Sequence, residues 1–285
     1  VLALAAATAY MLTDVNFANE KLFLYAMKIR TPKLIVMILT AFAIGGASIV
    51  FQSVINNRIV TPCLLGMNSL YTLIHTAVVF FAGSSSILAA NANLSFAADL
   101  IIMGVTATLI YSYFFKKTKH NVLYVLLIGT VLTSLFSSIQ TTLTRVMDPN
   151  EYDNLGVVIA FLGKDLSVLN VLTLGKNQAI NLGVNYDRSV RRLLLGVTLF
   201  IAVATAMVGP ISFLGLIIAN LSRQLLKTYK HSFLMLGSAL FGIIVLVGGQ
   251  LIVEQVFTYS VPISVFITVG GGIYFLYLLL TRRSV

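Results

Sequence analysis

ISFLGLIIANLSR, Ile211 to Arg223, follows directly on Gly209-Pro210. It is apolar enough to enter a membrane, yet a glycine interrupts it and an arginine closes it. A full crossing of about 30 Å takes about 20 helical residues. The run 211–226 therefore reads as a tilted or partial helix. Upstream stands LTLGKNQAINLGV, Leu172 to Val184, a weakly amphipathic segment in an otherwise apolar chain. The order polar segment, span, Gly-Pro, short span, Arg describes a membrane protein with a candidate docking surface for a cytoplasmic partner.

Composition agrees. Of 285 residues, 58% are hydrophobic and only 10% are charged, whereas a soluble domain carries about 25% charged residues. Long apolar runs broken by short polar loops indicate an all-α polytopic membrane protein. A transmembrane barrel would alternate in segments of about ten residues. Cys63 is the single cysteine, so neither an intrachain disulfide nor a thiolate cluster can form, and it reads as a small apolar filler. The formal charge of +10 does not point to nucleic acid, because the cations sit scattered at loop edges. The chain lacks a G-x-x-x-x-G-K-[ST] phosphate loop and does not hydrolyse ATP itself.

Apolar runs predict spans at 1–12, 34–52, 63–82, 96–115, 122–143, 193–208, 211–226, 233–253 and 262–280. Val1 to Leu12 reads as the truncated end of a first span rather than a signal-peptide core. Gly156 to Leu162 is too short to cross, but topology needs a crossing there. It lies between the acidic loop Asp148 to Asn154 and a basic loop. An incomplete sixth span, with residues missing near Leu155/Gly156, brings the count to ten in a single permease domain over 1–285. The even-numbered inter-span loops and the C-terminus hold Arg58; Lys116, Lys117, Lys119; Lys164, Lys176, Arg188, Arg191, Arg192; Arg223, Lys227, Lys230; Arg282 and Arg283. That is 14 of the 19 basic residues, which places those loops and both termini in the cytoplasm.

Three constellations carry candidate function. Lys28, Arg30 and Lys33 in MKIRTPK put cations at the outer entrance to the second span, with Pro32 suited to its first helical turn. They read as a docking point for an acidic extracytoplasmic partner or as snorkelling cations. NNRIVTPCLLGMNS, Asn56 to Ser69, is a polar turn at the start of the third span, either an inner gate or a plain hairpin. In LTLGKNQAINLGV, helical spacing puts Ala179 and Leu182 on one face. The segment is either a coupling helix for an ATPase or an amphipathic helix lying on lipid. Asp99, His75, Gln140, Gln250 and Glu254 are polar residues within spans. Asp99 and Glu254 have no obvious buried cationic partner, and His75 reads as a satisfied core or path-lining residue rather than a metal ligand. Gly45-Gly46, Gly248-Gly249 and Gly270 to Gly272 read as close-packing positions.

Together these motifs resemble the FecCD family of ABC-transporter permeases over nearly the whole chain. KIRTPK is similar to the family's R-x-P-R, with Lys33 for the last Arg. Asn57, Pro62, Leu65 and Gly66 match N-P-L-x-x-P-x-x-L-G, with Arg58 for the first proline. Leu172, Leu174, Gly175, Ala179, Leu182, Gly183 and Val184 match L-x-L-G-x-x-x-A-x-x-L-G-V. Gly209, Pro210, Ile211, Phe213, Gly215, Leu216 and Arg223 match G-P-I-x-F-x-G-L-x-x-P-H-x-x-R, with Ala219-Asn220 for Pro-His. Pro262, Thr268, Gly271, Phe275, Leu278 and Leu279 match the tail motif. Gln250 and Val253-Glu254 stand where the family often has an Asp and an Arg.

The resemblance implies the type II importer architecture of about ten transmembrane helices and a bacterial cytoplasmic (inner) membrane location. It implies a second FecCD-type permease, an ATPase dimer carrying ATP and Mg, and an extracytoplasmic substrate-binding protein. It implies ferric-siderophore import by alternating access, with no cofactor or metal in this chain. Binding-protein docking then falls on Lys28, Arg30 and Lys33. The cytoplasmic gate falls on Asn57, Arg58, Pro62, Leu65 and Gly66. ATPase coupling falls on Leu174, Gly175, Lys176, Gln178, Ala179, Leu182 and Gly183, within a segment of about 172–190. The departures suit a heterodimer, whose sister subunit would keep the lost residues. A haem or cobalamin permease of the family, or an ion-gradient-driven transporter, stand as alternatives.

Overall fold

The computed structural model describes residues 1–13, 15, 20–82, 92–118, 121–144, 166–257 and 262–281. These form α1 (Leu2–Leu12), α2 (Glu20–Ile55), a 3-10 turn (Cys63–Leu65), α3 (Met67–Ala82), α4 (Ala92–Lys117) and α5 (Val122–Thr144). They continue as α6 (Leu166–Leu172), α7 (Lys176–Asn181), α8 (Tyr186–Val208), α9 (Leu214–Leu226), α10 (His231–Val256) and α11 (Ile263–Thr281). Among the described residues, α2, α4, α5, α8 and α10 are long and apolar enough to cross a membrane. α1, α3, α9 and α11 are shorter apolar helices. Each of the nine expected spans corresponds to one of these helices. The expected sixth span, the acidic loop, Asp14, Lys119, Arg145, Lys164, Arg282 and Arg283 lie outside the described residues.

The second span departs from expectation. α2 begins at Glu20 and runs for 36 residues with Pro32 inside it, about 54 Å of helix against about 30 Å of hydrocarbon. Pro32 therefore stands well past the first turn, where it leaves the Lys28 carbonyl without its helical donor. Residues 20–33 are mostly polar or exposed, so hydropathy alone started the span too late. The C-terminal half of α2 is the opposite case, buried almost continuously from Thr40 to Ile55.

α2 is the spine of the bundle because its small residues let neighbours close on it. A Cβ on Gly45 would lie 2.8 Å from Ser238 Oγ on α10, and one on Gly215 of α9 would lie 2.0 Å from Ser48 Oγ on α2. Phe51 meets Phe115 near the end of α4 at a ring separation of 5.7 Å. α8 packs on α2 through Phe200 against Phe42, edge to face at 6.0 Å. Its start is set by Asn185, whose side chain caps the Arg188 N–H.

Between α8 and α9 the chain is irregular. Gly209 has φ 79° with ψ −178°, a conformation essentially reserved for glycine, and Phe213 takes φ 31° in the left-handed region. Ile211 is fully buried here, and its carbonyl accepts a hydrogen bond from Asn68 Nδ2 at 3.2 Å. Thr205 Oγ1 lies 3.3 Å from Asn68 Oδ1. α11 covers the break: a Cβ on Gly271 would stand 2.2 Å from Phe213 Cβ. Irregular backbone inside an apolar bundle persists only where protein satisfies it, as here.

Candidate functional site

At one end of the bundle, α2, α6, α9 and α10 meet the turn 56–66. Asn56 turns the chain with φ 53°, and Asn57 Oδ1 accepts from the Ile59 N–H at 2.8 Å. The Arg58 carbonyl accepts from Gln52 Nε2 at 2.8 Å and from Asn220 Nδ2 at 3.0 Å. Pro62 opens the 3-10 turn and Gly66 ends it with φ 81°. The Leu65 carbonyl accepts from Tyr111 Oη at 2.7 Å. A Cβ on Gly66 would fall 2.5 Å from Thr133 Oγ1, and one on Gly129 would fall 2.3 Å from Leu65 Cδ2. The five gate candidates therefore form one folded turn. Pro62, Leu65 and Gly66 are buried against α4 and α5, and the Arg58 side chain is exposed.

A polar network continues from this turn. Arg223 on α9 donates from Nε to Gln52 Oε1 at 3.3 Å and from Nη2 to Ser53 Oγ at 3.2 Å. His231 Nε2 lies 2.7 Å from the same Ser53 Oγ. Asn170 Oδ1 on α6 accepts from both the His231 N–H and its ring Nδ1. An amide oxygen can only accept, so Nδ1 carries a proton. Asn170 is three residues from Thr173, and α7 begins at Lys176, so the network runs between the expected coupling segment and the turn 56–66. Gln52, Ser53, Asn170 and His231 were not legible as site residues, because they are short polar interruptions in or beside apolar runs that lie far apart in the chain. Only their convergence marks them.

The expected coupling segment folds as a short helix bracketed by glycines at positive φ, Gly175 at 95° and Gly183 at 81°. The Val184 N–H reaches the Ala179 carbonyl and the Gly183 N–H reaches that of Ile180, a Schellman closure. This explains the glycine spacing of the motif. Lys176 sits 3.6 Å from Asp187 and over the Tyr186 ring, fastening α7 to the start of α8. One expectation is overturned: Ala179 and Leu182 do not share a face. Ala179 is fully buried, while Leu182 is 62% exposed together with Leu174 and Ile180. Leu182 is already the C-cap, beyond the helical register that the spacing assumed.

At the opposite end the three cations separate. Lys28 and Lys33 are exposed. Arg30 turns inward: Nη1 donates to the Tyr10 carbonyl at 2.9 Å and also to the Thr13 carbonyl, and the guanidinium lies over the Tyr10 ring. These are carbonyls at the C-terminal end of α1, where a cation is favoured. Glu254 takes neutral donors, Gln250 Nε2 at 2.9 Å and Tyr10 Oη at 3.4 Å.

Asp99 does have a partner, contrary to the sequence reading. Its Oδ2 lies 2.6 Å from His75 Nδ1, with side chains 1% and 30% exposed respectively. Adjacent helical rows continue the polar seam, Thr72 to Gln140 and Ser69 to Ser137 across α3 and α5. Sequence could not pair α3 with α4 at this register. Among the described residues, no group of three or more His, Cys, Asp or Glu could hold a metal.

The chain is similar to known permeases along its length. It is 40% identical to the petrobactin import system permease protein YclO of Bacillus subtilis, over 91% of this chain and 90% of the relative. It is 30% identical to the petrobactin import system permease protein FatC of Bacillus anthracis, over 92% and 80%. A metal-chelate type ABC transporter solved in an inward-facing conformation has the same fold, with a TM-score of 0.76 at 21% identity, covering 98% of this chain and 96% of that one. The FecCD transport family matches in two stretches, residues 2–164 and 155–281, which meet where the sixth span is expected. With both stretches matched and a relative 40% identical, this multi-pass membrane chain belongs to the FecCD transport family, as a transport permease and not a catalytic subunit of an ABC importer.

Proposed function

We propose that this chain is the permease subunit of a bacterial ferric-siderophore importer in the cytoplasmic membrane, with both termini inside. It would work with a second permease of the same family, a separate ATPase dimer and an extracytoplasmic binding protein. The similarity to a petrobactin permease over nine-tenths of that protein supports this best. Petrobactin-type chelates are accordingly the first cargo to test.

Mechanically, an ATPase would grip the exposed Leu174, Ile180 and Leu182. Movement of α7 and α6 then reaches Asn170, passes through His231 and Ser53 to Arg223, and shifts the Arg58 carbonyl held by Gln52 and Asn220. The gate turn would open as α9 tilts about the irregular segment 209–213. Asn220 stands in place of the family's histidine and still holds the turn. The loss of Pro-His there is compatible with an unlike pair of permeases.

Uptake of radiolabelled ferric petrobactin by cells lacking their own importer, complemented with this chain and its genomic neighbours, tests the reading. Energy-dependent uptake that needs both this chain and the ATPase is expected. Uptake unaffected by an inactive ATPase would overturn it.

A further inference from the structure

The geometry points to a binding site for one anionic phospholipid where α9 turns into α10. This inference rests on the chain's place in a membrane and not on its cargo. A cavity of about 650 Å³ opens there, and three of its lining residues are the cations Arg58, Arg223 and Lys227. The other described lining residues include Asn57, Thr228 and Tyr229, and none is acidic. Neither the His75–Asp99 contact nor the Lys176–Asp187 pair involves any of the three cations. Arg223 directs Nε and Nη2 to the neutral acceptors Gln52 and Ser53. Like charges thus converge on a partly enclosed space, where screening by water is weaker than on an open surface. An anion in the cavity relieves that repulsion and gains charge-assisted hydrogen bonds.

What surrounds the cavity selects the kind of anion. Tyr229 on its rim is 80% exposed. From there Phe233, Leu236 and Leu240 stand exposed along α10. Their spacing puts them on one helical face, and α10 is long enough to cross the membrane. A phosphodiester headgroup among the cations, with acyl chains on this track, satisfies both parts of the surface. A free phosphate, or a carboxylate from a docked protein, meets only the cations. Basic clefts between spanning helices suit anionic headgroups in this way.

Native mass spectrometry of the full chain in mild detergent, stripped of lipid and then titrated, tests the site. Phosphatidylglycerol, phosphatidylcholine and inorganic phosphate serve as the probes. One phosphatidylglycerol per chain is expected, bound at least about tenfold more tightly than phosphatidylcholine, a gap of about 1.4 kcal/mol. The double variant Arg58→Gln/Lys227→Asn should bring phosphatidylglycerol down to the phosphatidylcholine level. Asparagine is chosen because Lys227 has φ 46°, which asparagine tolerates. Lys116→Gln/Lys117→Gln, at the end of α4, should leave binding unchanged. Should the double variant fail to fold, Lys227→Asn alone, at an exposed position, should still weaken binding severalfold. Equal binding of the two lipids, or unchanged binding in the variants, overturns the site. So does displacement of the lipid by inorganic phosphate but not by chloride of equal ionic strength, which would make free phosphate the ligand. Release of the lipid on adding the ATPase subunit also overturns it, in favour of a protein carboxylate.

Discussion

His231 Nε2 lies 2.7 Å from Ser53 Oγ, bonding the first residue of α10 to the buried end of α2. Asn170 holds the other ring nitrogen, so one imidazole links α6 to α2. Asn170→Ala removes the acceptor of two His231 donors, and leaving a buried group unpaired costs about 1–3 kcal/mol. We predict a chain that still inserts and binds its ATPase but loses most uptake while ATP hydrolysis continues. Uptake and hydrolysis measured together in proteoliposomes decide this; uptake at the wild-type ratio to hydrolysis removes the network from the coupling route.

Arg30 and its neighbours should separate by assay. Arg30→Gln strips the carbonyls at the end of α1 of their charged donor and should lower stability by about 1.5–3 kcal/mol, the range for charged hydrogen bonds. Lys28→Glu/Lys33→Glu should lower the melting temperature less than Arg30→Gln does but weaken binding-protein docking, most steeply at low salt. Binding titrated at two ionic strengths, beside melting curves, distinguishes the roles. Equal docking by the lysine variant at both salts would exclude those two residues.

On α7 the exposed side is the one to probe. Ile180→Arg or Leu182→Arg should abolish ATPase association, with little change in the stability of the isolated subunit. Ala179→Arg should instead unfold the segment, because the alanine is fully buried. Co-purification of the ATPase is the readout, and its full retention by Leu182→Arg would rule that residue out of the contact.

His75 and Asp99 should behave as a pair. Stranding one partner of a buried ion pair costs about 3–5 kcal/mol, whereas replacing both with apolar residues is often neutral. His75→Leu strands the Asp99 carboxylate, whose side chain is 1% exposed, and should fall at the upper end. Asp99→Leu leaves an imidazole that is 30% exposed and can stay neutral, and should cost less. His75→Leu alone should cost more than the double variant. A double-mutant cycle on thermal stability checks this, and strict additivity would show that the two do not interact.

Gly66→Ala should be destabilising by about 1–3 kcal/mol, since it combines a left-handed conformation with overpacking. Its Cβ would meet both Thr133 Oγ1 and, at 3.0 Å, Thr133 Cα. Thr133→Ala should not rescue it, because the backbone contact and φ 81° remain. A rescued melting temperature would place the strain in the hydroxyl alone.

The sequence by itself determined the class of protein and most of its spans, because transfer of an apolar run into lipid depends on composition summed over about 20 residues. It also determined the glycines of the coupling segment and of the gate turn, since left-handed backbone is a local property. Tertiary structure decided what each polar side chain does. Arg30 and Lys28 are two residues apart, yet one caps α1 and the other is exposed. Asp99 gained His75, and Asn170 gained His231, across helices whose register and facing depend on packing over the whole bundle. A hydrogen bond fixes atoms to within tenths of an ångström, and periodicity along one helix carries no such information about its neighbour.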